Sequence, residues 1–307
     1  MPHPDLETLC IPAPAKINLF LHVVGRREDG YHLLQSAFEL IDWADRISLS
    51  RHSDGEITRT GDLLCAVDDD LAYRAARALQ TTPAWQAQGR PGAQIHVEKS
   101  VPSGAGLGGG SSDAASTLMG LNRLWRLGLD RQELARLGLS LGADVPFFLF
   151  GQAAFAQGVG EALEAYATTP RWVVLAVPAC AVPTGPIFQA PELTRNSKPL
   201  KIAGFAQAAR NPVWEFGRND LEPVTRSRFP LVDQAAQQLC QAADREGIAP
   251  VAVRMSGSGS AVFCTAPDQP TGQRILDQMN AFQRSAPDTI AHLRLCQTLI
   301  THPERIF

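Results

Sequence analysis

Pro102-Ser103-Gly104-Ala105-Gly106-Leu107-Gly108-Gly109-Gly110-Ser111-Ser112 decides how the rest of this chain is read. It places five glycines within seven residues, after a strand candidate at 93–98 and before a helix candidate at 111–127. Glycine tolerates positive φ and lets a ligand approach the backbone closely. Successive N–H groups in such a turn form an anion nest, and the helix behind it adds its free N-terminal amides and dipole. The arrangement suits a polyphosphate. Gly104, Gly106 and Gly109 match the dinucleotide fingerprint, but no opening βαβ unit with a ribose-binding acid surrounds them. Gly104 and Gly109 fit the P-loop spacing, yet Gly110 stands where that motif needs Lys. The H-R-D and D-F-G tripeptides of protein kinases are absent. A mere packing turn would leave the entropic cost of so many glycines unexplained.

Upstream, residues 15–24 alternate: Ile17, Leu19, Leu21 and Val23 share one face, and Lys16, Asn18, Phe20 and His22 the other. That period predicts a strand, with Lys16 and Asn18 pointing the same way about 7 Å apart. Further strands are expected at 35–41, 46–51, 147–157, 172–177, 250–255, 260–265 and 292–300. Helices are expected at 70–80, 131–141, 231–246 and 271–283. Asp130 and Glu133 form a capping-box pattern for 131–141, and Gly247 stops 231–246. Strands and helices interleave irregularly, which favours α+β over a doubly wound parallel sheet. The proline-rich stretch 178–200 reads as a long irregular loop of the kind that carries function. A domain junction is expected near Gly158–Glu164.

The 307 residues allow two domains with ample core, and 45% hydrophobic with 19% charged residues is a globular composition. Lys+Arg 28 against Asp+Glu 31 argues against the broad basic face of a nucleic-acid binder. Six cysteines without a C-x-x-C pair give no support for a zinc ribbon or thioredoxin-like site and read as reduced thiols. No secretory signal and no run long enough to span a bilayer is evident, so a cytoplasmic protein without membrane partners is expected.

The glycine stretch resembles the phosphate loop of the GHMP kinases, the superfamily of galactokinase, homoserine kinase and the mevalonate kinases. Pro14–Leu21, Arg27–Ser36 and Gly142–Phe148 narrow the likeness. So do Gly151–Glu161, the Pro183-Thr184…Phe188 loop, Asn219-Asp220-Leu221-Glu222 and Met255–Ser260. They are similar, in order and across nearly the whole chain, to the branch that phosphorylates 4-diphosphocytidyl-2-C-methyl-D-erythritol in the non-mevalonate isoprenoid pathway. The resemblance implies an α+β, two-domain GHMP-kinase fold. Its N-terminal domain (1–160) would be ribosomal-protein-S5-like α/β and its C-terminal domain (161–307) ferredoxin-like α/β, with a cleft between them.

On pattern alone Lys16 reads as a snorkelling lysine and Asp144 as a turn or cap aspartate. The resemblance makes them the catalytic pair, a reading the chemistry supports. Phosphoryl transfer to an alcohol needs an in-line hydroxyl, a proton acceptor and balance for the γ-phosphate charge. The resemblance further implies that residues 102–112 bind ATP, with Ser111 and Ser112 near the phosphates. Tyr31 and Phe188 would sandwich cytosine, His32 would bond the base, and Asn18 and Thr184 would line the erythritol–phosphate end. Without it, Tyr31 and His32 read as a core ring and a surface histidine. Mg²⁺ is expected with ATP, but no dedicated metal cage is evident. Asp68-Asp69-Asp70 reads as a solvated helix start, and Asp70 replaces an Asn more usual in the family near the adenine side. Gly257-Ser258-Gly259 reads as a hairpin turn, or by resemblance as a second glycine motif against the phosphate loop. A monomer or weak homodimer is expected. The alternatives are a kinase of homoserine or a mevalonate, whose substrates carry no base to stack, and a silent nucleotide-binding protein, which would not need Lys16 and Asp144.

Overall fold

The computed structural model describes residues 8–304 except 203, 204, 206–208 and 212. Two long strands, β1 (Thr8–Arg26) and β2 (His32–His52), form an antiparallel hairpin from Arg26↔His32 to Thr8↔Ser50. β2 also pairs with β4 (Gly92–Glu98), β5 (Ala154–Gln157) and β10 (Ile290–Leu299), so one strand is the spine of the molecule. β3 (Ile57–Gly61) runs parallel to β4 at one end of the sheet. The other end continues from β10 through β7 (Trp172–Pro178) and β9 (Val262–Ala266) to β8 (Val253–Met255).

The expected break between strands 35–41 and 46–51 does not exist. Asp42 and Asp45, in the gap between the two expected strands, both lie inside β2, Asp42 exposed and Asp45 buried and paired with Ala13. The Asp42 carboxylate accepts from the Gln297 amide, and buried Asp45 accepts from the amides of Ser100 and Val101. The expected strand 147–157 is also corrected. Val145–Phe150 is a short helix with Pro146 in its first turn and Gly151 (φ 69) at its end, and only Ala154–Gln157 is strand. Val145 to Leu149 are all buried, so no polar face betrayed the helical period.

The expected helices lie near their places: α1 (Leu71–Gln80), α3 (Gly109–Leu124), α4 (Arg131–Leu141), Pro230–Arg245 and Gln269–Ser285. The short helices α2 (Pro83–Ala87) and α5 (Val145–Phe150) have no counterpart among the expected ones. The Asp130–Glu133 capping box has both of its bonds. Helices α1, α3, α4 and α5 cover one core against β1, β2 and β4, and a second core lies between the C-terminal helices and β7–β9. The chain leaves the first half through the hairpin of β5 and β6 (Ala162–Ala165), so position 160/161 falls inside a paired unit. Beyond it, the fully buried pair Arg171–Glu39, Nε–Oε2 3.1 Å and Nη2–Oε1 3.1 Å, ties β2 to the start of β7.

Candidate active site

A cavity of about 980 Å³ opens between the two cores, lined by β1, the glycine loop, the β1–β2 turn and the 184–189 segment. Its size is that of a small-molecule site. The glycine loop wraps one end. Gly104, Gly106 and Gly108 take φ of 67°, 73° and 71°, so left-handed residues recur at every second position and turn successive amides to one side. The loop carbonyls face the protein. Gly104 O accepts from Val182 N, Ala105 O from Ala261 N, Gly106 O from Ser256 Oγ, Leu107 O from Lys16 N and Gly108 O from Ser112 N. Helix α3 begins at Gly109, two residues earlier than expected, so the first-turn amides of Gly109, Gly110 and Ser111 join the loop on the cavity wall.

Among the residues expected around ATP, Pro102 to Ser111 all line the cavity. Ser112 does not: its hydroxyl is fully buried and donates to Pro14 O at 2.7 Å. It anchors α3 to β1 instead of facing a phosphate. Asn219 donates to Met255 O and Gly257 O, which holds the second glycine turn against the loop. A Cβ on Gly106 would overlap Ser256 O, so the two glycine segments touch backbone to backbone.

Lys16 and Asn18 point the same way from β1, as the alternation predicts. Lys16 Nζ donates to Asn18 Oδ1 at 2.6 Å and lies 3.5 Å from Asp144 Oδ2. The lysine is only 3% exposed while the aspartate, at the head of α5, is 37% exposed and open to the cavity. Phe38 lies under the ammonium, 5.3 Å from ring centre to Nζ. Asn18 Nδ2 donates to Ser36 Oγ, which donates to Phe20 O, so the amide orientation is set and Oδ1 faces the lysine. An ammonium, a fixed amide and an accessible carboxylate therefore converge beside the glycine loop.

At the other end stand Tyr31, His32, Thr184 and Phe188. The stretch 178–200 is not wholly irregular: Thr184–Phe188 forms a short helix, α6, that presents both side chains. Phe188 packs on His32 with ring centres 5.1 Å apart, and Tyr31 is 66% exposed on the rim. Thr184 Oγ1 bonds Ser258 Oγ at 2.8 Å, linking this end to the second glycine turn. Burial, reinforced by the Arg195 and Arg26 cations, holds the His32 imidazole below its usual range.

Other polar residues of the cavity wall were not singled out by sequence. Lys99 Nζ meets Asp45 Oδ2 at 2.5 Å and Asp113 Oδ2 at 2.7 Å, just behind the loop. Two buried carboxylates thus share one ammonium. Burial, with Asp45 close by, pushes the Asp113 carboxyl up to about 7. Lys99 sits at the start of the glycine stretch, but Asp45 lies 54 residues away, and no local pattern joins them. Asp70 caps α1 by accepting from Tyr73 N and pairs with Arg59 at 3.2 Å, so its carboxylate is engaged where the family more usually carries Asn.

Comparison with known proteins agrees with this geometry. The family model for the GHMP kinases N terminal domain matches residues 70–152, and that for GHMP kinases C terminal matches 202–285. The chain is 49% identical over 303 residues to the 4-diphosphocytidyl-2-C-methyl-D-erythritol kinase of Bordetella bronchiseptica, covering 96% of this chain and 97% of the other. It is 53% identical over 254 residues to that of Herminiimonas arsenicoxydans, covering 82% and 84%. A crystal structure of 4-(cytidine 5'-diphospho)-2C-methyl-D-erythritol kinase superposes with TM-score 0.76 at 33% identity, over 94% of this chain and 99% of that one. Homoserine kinase from Cytophaga hutchinsonii, 14% identical with TM-score 0.67 over 98% and 97%, shares the fold.

Proposed function

The chain belongs to the 4-diphosphocytidyl-2-C-methyl-D-erythritol kinase family of the GHMP kinases, and from that premise we propose how its cleft works. It transfers the γ-phosphoryl group of ATP to the 2-hydroxyl of 4-diphosphocytidyl-2-C-methyl-D-erythritol, giving the 2-phosphate and ADP in the isoprenoid precursor pathway. The observation that carries the assignment of residues is the Lys16–Asp144 pair, 3.5 Å apart, facing the cavity that the glycine loop lines.

The amides of Gly104–Ser111 take the ATP phosphates, because the loop carbonyls are already bonded to the protein and a helix N-terminus stands behind them. Asp144 accepts the proton of the 2-hydroxyl while the oxygen attacks the γ-phosphorus and the bond to the β-phosphate oxygen breaks. Lys16, held by Asn18, balances charge on the transferring group. Among the described residues no group of three or more His, Cys, Asp or Glu side chains is placed to hold a metal. Mg²⁺ is proposed to accompany ATP; Ser111, which lines the cavity, would stand beside it, and the ion would neutralise phosphate charge. Tyr31, His32 and Phe188 take the cytosine, and Asn18 and Thr184 border the erythritol–phosphate end. Residues 1–160 then form the ATP-binding half and 161–307 the half that supplies Thr184 and Phe188.

The test is to offer ATP and Mg²⁺ with the cytidylyl substrate, homoserine and mevalonate separately and to follow ADP. Turnover of the first alone is expected. ADP release with homoserine but not with the cytidylyl compound would sink the reading. No helix among the described residues is long and apolar enough to cross a membrane.

A further inference from the structure

We propose that Arg195 is a positioning residue that locks the tautomer of His32, and that this lock makes the base pocket accept cytosine and reject uracil. The inference rests on the placement of the base beside His32 argued above. Arg195 is absent from the cavity wall and lies behind His32. Its guanidinium is held by three carbonyls, Nη1 donating to Leu193 O at 3.1 Å and Nη2 to Phe188 O at 3.0 Å and Ala190 O at 2.6 Å. Nε then donates to His32 Nε2 at 3.1 Å.

A guanidinium has donors and no acceptor. The imidazole nitrogen facing it must therefore offer its lone pair, and the proton of the neutral ring sits on the other nitrogen, Nδ1. Among the described residues no protein group accepts that proton, and His32 lines the cavity. Two neighbouring cations, Arg195 and Arg26, together with burial, oppose a second proton on the ring. The pocket is thus left with one fixed N–H donor beside the Phe188 ring. Cytosine N3 carries a lone pair that such a donor satisfies. Uracil N3 carries a hydrogen, so the two N–H groups would meet head-on. A histidine free to exchange tautomers would suit either base.

The experiment combines ¹⁵N NMR of histidine-labelled protein with kinetics on the cytidylyl substrate and its uridine counterpart, for wild type, Arg195→Met and Arg195→Lys. In the wild type, His32 is expected to show one protonated and one unprotonated nitrogen across pH 6–8, and a preference for cytidine in kcat/KM. Arg195→Met is expected to give averaged tautomers and to lose about tenfold or more of that preference, the cost of one mismatched buried hydrogen bond. The change should appear mainly as a lower KM for the uridine counterpart, with KM for the cytidylyl substrate raised only by the fraction of the donor tautomer lost and KM for ATP unchanged. Arg195→Lys keeps a donor for Nε2 but not the planar fork, so it should restore part of both signals. If both variants keep the wild-type tautomer yet lose activity, Arg195 only braces the Phe188 segment and the proposal is overturned. It is also overturned if the lock is present but the wild type does not discriminate between the bases. Failure of the wild type to use the cytidylyl compound at all would instead strike the functional reading beneath it.

Discussion

Asp144→Asn separates the chemistry of the site from its stability. The substitution keeps the side-chain volume and an oxygen that can accept from Lys16, but removes the group proposed to take the hydroxyl proton. Lys16 keeps its 2.6 Å bond to Asn18, so the buried ammonium is not left without a partner. The ion pair it loses has one member 37% exposed, and solvent screening limits such a pair to about 0–1 kcal/mol. A melting temperature within about 4 °C of wild type is therefore expected. Loss of a general base costs about 10²–10⁴-fold in kcat. That is about 3–5 kcal/mol of transition-state stabilisation, several times the stability effect. The assay is kcat for ADP formation at saturating ATP and cytidylyl substrate, beside a calorimetric melt and a direct titration of ATP. The expected outcome is a folded protein that binds ATP within about threefold of wild type and turns over at least a hundredfold more slowly. A kcat within fivefold of wild type would remove Asp144 from the proton path. Equal losses of ATP affinity and kcat would place it in nucleotide binding instead.

Gly106→Ala puts a Cβ onto a residue at φ 73° and against Ser256 O, so the phosphate loop and the second glycine turn must part. A displacement of about 1 Å in a positioned group costs about 10²-fold, so kcat/KM for ATP should fall by that order, and an unchanged value would show that the contact is dispensable. Asp113 holds a proton up to about pH 7 in the folded state against an ordinary carboxyl near 3.8, so the unfolded chain has fewer bound protons between these values and stability falls as pH rises through that window. Asp113→Asn should therefore melt increasingly above wild type from pH 5 to pH 8, and a gap that does not change with pH would refute the strained carboxylate. Tyr31 is exposed on the rim, so Tyr31→Ala should leave the melting temperature almost unchanged. It should raise KM for the cytidylyl substrate by about tenfold or more, the value of one base stack, with KM for ATP constant; equal effects on both would move the ring out of the base pocket.

The local signals in the chain translated well where structure is local. The alternation at 15–24 put Lys16 and Asn18 on one face, and they are hydrogen-bonded to each other. The Asp130–Glu133 spacing gave a capping box with both bonds. The glycine run foretold a turn at a helix start, which needs only backbone freedom over a few residues. Failures came where burial erased periodicity, as in Val145–Leu149, or where polar residues interrupted the apolar pattern of one long strand, as across Asp42 and Asp45 between the expected strands 35–41 and 46–51. Asp45 is the instructive case. A carboxylate in the middle of a strand looks like a breaker until its three donors, Ser100 N, Val101 N and Lys99 Nζ, are in place more than fifty residues later.

The same reasoning explains why a glycine motif identifies a phosphate site only incompletely. Glycines say that the backbone is free to take left-handed conformations; they do not say which side its amides face. Here that side is set because the carbonyls from Gly104 to Gly108 are each taken by a donor, and these donors come from Val182, Ala261, Ser256, Lys16 and Ser112. Three of the five lie beyond residue 180, in the half of the chain that carries Thr184 and Phe188. The loop and the segment that carries Thr184 and Phe188 are thus tied together through backbone hydrogen bonds, and the Lys16 backbone amide, bonded to Leu107 O, ties β1 to the same loop.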